Sequence, residues 1–284
     1  MEAILSLSYG KDSLACIHVI KDILDWPLDR IVHAEVWATD TIPAELPPMV
    51  DFKAKADAII KERWGIDVEK FRADISYEEG FYHAIQPQTI EKRKEKKKHI
   101  SKYQIYDEER AIWGFPTVMG PWCNSKLKMT AIEKAKKSAE DSISYIGIAA
   151  DEPERIARYI GKPNTKLPLV EAGWNEAMCR KWCEENDLLS PIYTEAARGG
   201  CWFCHNQGVD QLRLLRRNYP EYWSLLLKWD NDSPITFKPD GHTVHDYEER
   251  FKLEDQGLIL PTDKWYWSYL SNRGIQLKID WGRL

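Results

Sequence analysis

Two groups of residues in this chain have the types and spacing to do chemistry. The first is the run Ser8-Tyr9-Gly10-Lys11-Asp12-Ser13, which follows the apolar stretch Ala3-Ile4-Leu5 and leads into an amphipathic segment. A glycine turn between a strand and a helix start leaves several backbone N–H groups unpaired at the positive end of the helix dipole. Lys11 adds a full charge, and the hydroxyls of Ser8 and Ser13 add donors. The run can therefore cradle phosphate. It is not the common P-loop, which needs a glycine where Leu5 stands and a Ser or Thr where Asp12 stands. That missing hydroxyl would hold Mg²⁺ beside a γ-phosphate, so simple γ-phosphate hydrolysis is disfavoured.

The second group is built on sulfur. Cys201 and Cys204 form a CxxC within Gly200-Cys201-Trp202-Phe203-Cys204-His205, and Cys123 precedes them in Trp122-Cys123-Asn124-Ser125-Lys126-Leu127-Lys128. Two thiolates on one tight turn can grip a metal or a cluster corner, or act as a redox dithiol. Cys123 stands at an expected helix start, where thiolates are favoured, and Lys126 and Lys128 would offset the charge of a cluster. Three thiolates suit a cluster with one iron left open. Cys183 or Cys179, four apart on one helix face, would close it, although both also read as small buried hydrophobes. His205 would instead complete a zinc site. Cys16 reads as packing.

The elements that position these residues alternate. The pattern predicts a helix over 12–25, a strand over 31–38 ending at Asp40-Thr41, a helix over 49–63 and a short strand over 66–71. A lysine-rich helix over about 125–139 and a strand over 143–149 follow. Such alternation predicts an α/β fold, a doubly wound, mostly parallel sheet with helices on both faces. Ligands then bind beyond the carboxyl ends of the strands. The phosphate turn, Asp40-Thr41 and Asp151-Glu152 all follow strands and can converge there. Asp40 suits a ribose, a metal or the cap of its turn. Asp151 and Glu152 suit Mg²⁺, the orientation of Arg155, or a helix cap. From about residue 171 the composition changes, and Trp202, Trp223, Trp229, Trp265, Trp267 and Trp281 mark an aromatic, helical stretch. The expected division is a nucleotide-binding α/β domain over 1–170 and a helical extension over 171–284 that carries the CxxC.

Composition narrows the class. Among 284 residues, 40 Lys and Arg against 45 Asp and Glu give a net charge of −5, so no global basic field draws in nucleic acid. The basic run 91–102 is either a solvated loop or a phosphate-contacting arm. No apolar run approaches the roughly 20 residues that cross a bilayer, and no charged n-region marks a signal peptide. The expectation is a cytoplasmic protein without a membrane partner, whose six cysteines serve metal, cluster or burial rather than disulfides.

Ser8–Ser13 resembles the PP-loop of ATP pyrophosphatases and sulfonucleotide reductases. With Asp40-Thr41, Gly147-Ile148-Ala149-Ala150-Asp151-Glu152-Pro153-Glu154-Arg155, Pro168-Leu169, Trp174, Ser190-Pro191-Ile192-Tyr193 and the Gly-Cys turn in order, residues 1–210 are similar to the phosphoadenosine phosphosulfate reductase-like family. Trp113-Gly114-Phe115-Pro116, the Cys123 segment and Gly200–Cys204 also resemble an uncharacterised bacterial and phage branch of it. The resemblance implies an adenine nucleotide, ATP with Mg²⁺, held by Ser8, Tyr9, Gly10, Lys11, Asp12, Ser13, Asp40, Thr41, Gly147 and Arg155. It gives the catalytic work to Lys11, Asp12, Asp151 and Glu152. It also implies a [4Fe-4S] cluster on Cys123, Cys201 and Cys204, with Zn²⁺ as the alternative metal.

Two departures matter: Trp122 replaces the first cysteine of the family's Cys-Cys pair, and no cysteine follows Cys204 to attack a sulfonucleotide. The implied activity is adenylyl transfer from ATP for sulfur insertion, on a nucleic-acid or small-molecule acceptor and with a sulfur-donor protein as possible partner. A sulfonucleotide reductase, or a non-catalytic binding module stapled by metal, is the alternative.

Overall fold

The computed structural model describes residues 1–85, 112–117, 121–137, 141–195 and 199–263. The chain divides into two compact units, Met1–Gly80 with Pro121–Cys204, and Phe81–Gly120 with His205–Leu284. The break expected at 170/171 is not where these units part: the CxxC closes the first unit.

In the first unit, β1 (Glu2–Ser6), β2 (Arg30–Glu35), β3 (Val68–Arg72), β4 (Ser142–Tyr145) and β5 (Thr165–Lys166) form one sheet in the order β3-β2-β1-β4-β5. Every pairing is parallel. Central β1 is buried on both faces, which is why Ala3-Ile4-Leu5 is continuously apolar rather than alternating. The chain builds outward from β1 on one side, then returns to add β4 on the other. The strand order therefore reverses between β1 and β4, and their carboxyl ends open a crevice.

Helix α1 (Lys11–His18) follows β1 and continues as a π-helical turn, Val19–Ile23. Leu14, Ala15, Cys16 and Ile17 face the core. Helix α2 (Pro47–Trp64) starts on proline, whose missing N–H costs nothing there, and stops at Gly65, whose φ of 70° few other residues adopt. A π-helical turn, Asn124–Met129, leads into α3 (Thr130–Lys136). Helix α4 (Glu176–Glu185) is capped by Asn175, whose side chain accepts the Met178 N–H at 2.9 Å. Its buried face, Cys179, Trp182 and Cys183, packs on α1.

The second unit holds α5 (Val209–Asn218), α6 (Pro220–Asp232) and α7 (Val244–Asp255). Trp223, Trp229, Phe237 and Phe251 are buried in it, so these aromatic side chains serve packing. Glu254 accepts from both Arg213 and Arg250, and Glu248 from Arg216 and the Trp223 indole, tying α5 and α6 to α7. Trp265, Trp267, Trp281 and the basic run 91–102 lie outside the described residues. Among the described residues, no helix is long and apolar enough to cross a membrane.

Candidate nucleotide and metal site

The turn after β1 is held from several directions. Gly10 caps α1 in an extended conformation, and the first helical bond runs from Leu14 N–H to Gly10 O at 3.0 Å. The N–H groups of Lys11, Asp12 and Ser13 therefore have no acceptor inside the helix. Ser13 Oγ accepts the Ser8 N–H at 3.2 Å, donates to Gly10 O at 3.0 Å and meets Ser8 Oγ at 3.0 Å. Tyr9 takes a left-handed conformation, φ 55°, which costs a non-glycine residue about 1 kcal/mol. Its fully buried ring offsets that cost. The ring packs edge-on to His33, and its hydroxyl donates to Asp57 at 2.5 Å.

Beneath Tyr9 runs a buried polar relay. A carbonyl can only accept, so the 2.8 Å contact with Leu7 O places a proton on His33 Nδ1. Nε2 then accepts from Lys53 at 2.8 Å, and Lys53 also pairs with Glu45. Burial first, and then the Lys53 charge, push His33 down to about 3, so it is neutral at physiological pH.

Gly147, beyond β4, completes the cradle because nothing larger fits. A Cβ there would lie 2.9 Å from Ser13 Cα and 3.1 Å from Asp12 O. The chain after β4 thus lies directly against the start of α1.

Lys11 Nζ binds Asp12 at 2.8 Å and Glu176 at 3.2 Å. Arg155 binds Glu152 at 2.5 Å. Asp12, Glu152 and Glu176 bring one carboxylate oxygen each within 4.8 Å of one another. Burial raises the Asp12 carboxyl; Lys11 opposes that rise, and Glu176 and Glu152 reinforce it. The donors here are hard oxygens and carry an excess of negative charge, which fits Mg²⁺.

Cys123, Cys201 and Cys204 all belong to this unit. The CxxC turn closes through Cys204 N–H to Cys201 O at 3.1 Å. Trp202 pins the turn to the loop after β2. Its backbone N–H donates to Ala44 O at 2.8 Å and its indole N–H to Pro43 O at 3.0 Å. Tyr77 stacks on Trp122 at 5.1 Å and packs tilted against Phe203 at 4.1 Å, and its hydroxyl feels Cys123, Cys204 and Cys201. Burial pushes the Cys123 thiol up to about 11, and Cys204 adds to the rise. Burial pushes Cys201 up to about 12, where Lys128 lowers it and Cys204 and Cys123 raise it. These thiols feel one another electrostatically, but among the described residues only Asp12, Glu152 and Glu176, not the thiols, bring their ligand atoms within 4.8 Å of one another. In the absence of a metal Cys123 and Cys201 stay protonated. A cation reverses that balance, since coordination deprotonates thiols. The soft, desolvated donor set therefore fits an iron–sulfur cluster or zinc.

One cavity of about 500 Å³ reaches from the phosphate turn to one of the thiols: its lining includes Ser8, Gly10, Asp12, Gly147 and Arg155 as well as Lys128, Gly200 and Cys201, but not Cys123 or Cys204.

Other expected residues fall elsewhere. Asp40 and Thr41 follow β2 but are exposed, and neither lines the cavity. Asp40 meets Arg72 at 3.7 Å instead. Asp151 is exposed and accepts the Glu176 N–H at 3.1 Å, a capping role. Cys179 and Cys183 sit under the phosphate turn. Cys183 donates to Lys11 O at 3.3 Å, and Asp12 is among the groups that raise both thiols toward about 12. Their place is in the packing of α4 on α1, so the expectation of a fourth cluster ligand from them gives way to burial. His205 opens the second unit.

Comparison with solved structures adds a likeness of fold. The chain is similar in structure to the U34-tRNA thiolase NcsA from Methanococcus maripaludis, solved with its [4Fe-4S] cluster. Identity is 13%, the TM-score is 0.37, and the match covers 81% of this chain and 72% of that one. No family model matches the chain, and no curated protein matches it in sequence.

Sequence reasoning did not single out Glu176 or the His33–Lys53–Glu45 relay, and it quoted Tyr193 within a motif without giving it a role. Glu176 reaches Lys11 only because α4 packs on α1. The polar residues His33 in a buried strand and Lys53 on an otherwise apolar helix face were the available signal.

Proposed function

We propose that this protein is a PP-loop enzyme that binds ATP, transfers its adenylyl group to an acceptor and serves sulfur insertion. Cys123, Cys201 and Cys204 would hold an iron–sulfur cluster. The observation that carries the reading is the single cavity reaching from the phosphate turn to Cys201. A nucleotide seated on the turn would leave its acceptor facing Cys201, which a mere structural staple would not require.

In the proposed reaction a nucleophile on the acceptor attacks the α-phosphorus. The bond from that phosphorus to the α,β-bridging oxygen breaks, and pyrophosphate leaves with the electron pair. The N–H groups at the start of α1, which have no acceptor inside the helix, bind the phosphates, and Lys11 stabilises charge gathering on the leaving group. Asp12, Glu152 and Glu176 would hold Mg²⁺, which screens the phosphate charges when bound. Arg155 holds Glu152 in place. The cluster, when bound, supplies thiophilic iron for handling sulfur.

The test is anaerobic purification of the full chain, followed by iron, sulfide and zinc analysis and titration with Mg-ATP. The expected result is iron and acid-labile sulfide, about four of each per chain, with saturable ATP binding. Stoichiometric zinc without iron contradicts the cluster; no ATP binding contradicts the enzyme. Sulfite released from adenylylsulfate in the presence of thioredoxin would favour a reductase instead.

A further inference from the structure

The cavity presents one group that neither the phosphate turn nor the cysteines explain. Tyr193, on the short helix Ile192–Glu195, reaches the phosphate turn from a segment far along the chain. Its hydroxyl accepts the Lys11 N–H at 3.4 Å. It lies 3.4 Å from where a Gly10 Cβ would be. That N–H is the first orphan donor of an eight-residue helix, at its positive end. A phenol oxygen is therefore seated where an anionic oxygen would gain most, and at 3.4 Å it is held loosely.

We infer that Tyr193 is a nucleotide-binding residue: its hydroxyl stands in for a phosphate oxygen on the Lys11 amide and donates its proton to that oxygen when the nucleotide arrives. This deepens the reading given above and rests on it. The arrangement is chemically consistent. The oxygen now accepts from Lys11, which leaves its proton free to turn into the cavity. When a phosphate oxygen takes the amide, the phenol becomes a second donor to the same oxygen, beside the hydroxyls of Ser8 and Ser13. Burial raises the Tyr193 phenol above its ordinary value, so it remains a neutral donor and adds no negative charge against the phosphates. The ligand class is an adenine nucleotide or free pyrophosphate, since the contact is to phosphate alone.

The experiment is equilibrium titration of the full chain and of its Tyr193→Phe variant with Mg-ATP, with inorganic pyrophosphate and with adenosine. Phenylalanine keeps the ring and removes only the hydroxyl, so folding is checked by an unchanged melting temperature. Tyr193→Trp, a bulkier ring whose N–H donates from a different position, serves as a second variant. The expected result is roughly tenfold or greater weakening for ATP and pyrophosphate in Tyr193→Phe, the scale of a hydrogen bond to a charged group. Adenosine binding should not change. The tryptophan variant should not restore phosphate affinity.

Unchanged or tighter ATP binding by Tyr193→Phe overturns the inference while leaving the ATP reading standing. Equal weakening for adenosine overturns it too, because the hydroxyl would then be serving the fold or the base. Failure of the unaltered protein to bind either ATP or pyrophosphate removes the functional reading and this inference with it. Binding of pyrophosphate alone, weakened by Tyr193→Phe, would support the phosphate contact and contradict the adenine nucleotide.

Discussion

Gly147→Ala isolates the contact on which the cradle depends. The new Cβ would sit 2.9 Å from Ser13 Cα and 3.1 Å from Asp12 O, all backbone atoms that no rotamer change can move aside. Carbon–carbon contacts settle near 3.5–4.0 Å, so the segment after β4 and the start of α1 must part by roughly 0.5–1 Å. Overpacking of this kind costs about 1–3 kcal/mol. For a protein of this size that lowers the melting temperature by roughly 2–10 °C. The functional cost is larger than the stability cost. A displacement of about 1 Å in a positioning element can lower a rate by about a hundredfold. ATP affinity and pyrophosphate release should therefore fall much further than stability does. Gly161→Ala is the matched control: Gly161 has a φ of 76° and open space around it, so alanine there strains the backbone without touching the turn. The assay compares melting temperature and Mg-ATP titration for both variants. If Gly147→Ala binds ATP as well as the control does, the close approach does not shape the phosphate site and the reasoning fails.

Lys11→Ala should abolish pyrophosphate release and leave the iron content intact, whereas Cys201→Ser should lower iron content and leave ATP binding intact. Each is read by metal analysis beside the nucleotide titration, and loss of both properties in either variant would mean the two sites are not separate. His33 gives a pH signature. Its folded value of about 3 lies below the unfolded one, so the unfolded chain binds the extra proton, and stability rises with pH across that window. This contribution is complete above about pH 6.5 and is lost progressively as pH falls, a loss that approaches about 5 kcal/mol as pH passes through 3. Denaturant midpoints between pH 4 and 7 should fall more steeply for the unaltered protein than for His33→Gln; parallel curves would contradict a neutral, buried His33.

The parallel sheet was legible because its signals are local. An apolar run buried on both faces, a glycine turn and an amphipathic helix each declare themselves within a few residues, as β1, Gly10 and α1 do. The Cys201–Cys204 turn was legible through spacing, since a CxxC puts two sulfurs on one turn. The rest depends on contacts between distant segments. Glu176 joins Lys11 only when α4 docks on α1, and Tyr193 finds the Lys11 amide from 182 positions away. Asp40 shows the converse. It follows a strand end as a ligand-binding residue does, but the loop through Pro43 and Ala44 is taken up with holding Trp202, and Asp40 lies exposed beside Arg72. The helical extension was read from composition, which marks where tryptophans cluster but not which segments pack together; Phe81–Gly120 belongs with that second unit although it lies far earlier in the chain.

A crystal of the anaerobically purified protein grown with a non-hydrolysable ATP analogue tests the central claim most directly. The expected result is triphosphate density on Ser8–Ser13, with iron–sulfur density on Cys123, Cys201 and Cys204, beside the part of the same cavity that Cys201 lines. Nucleotide bound elsewhere, or three sulfurs too far apart to share a metal centre, would contradict it.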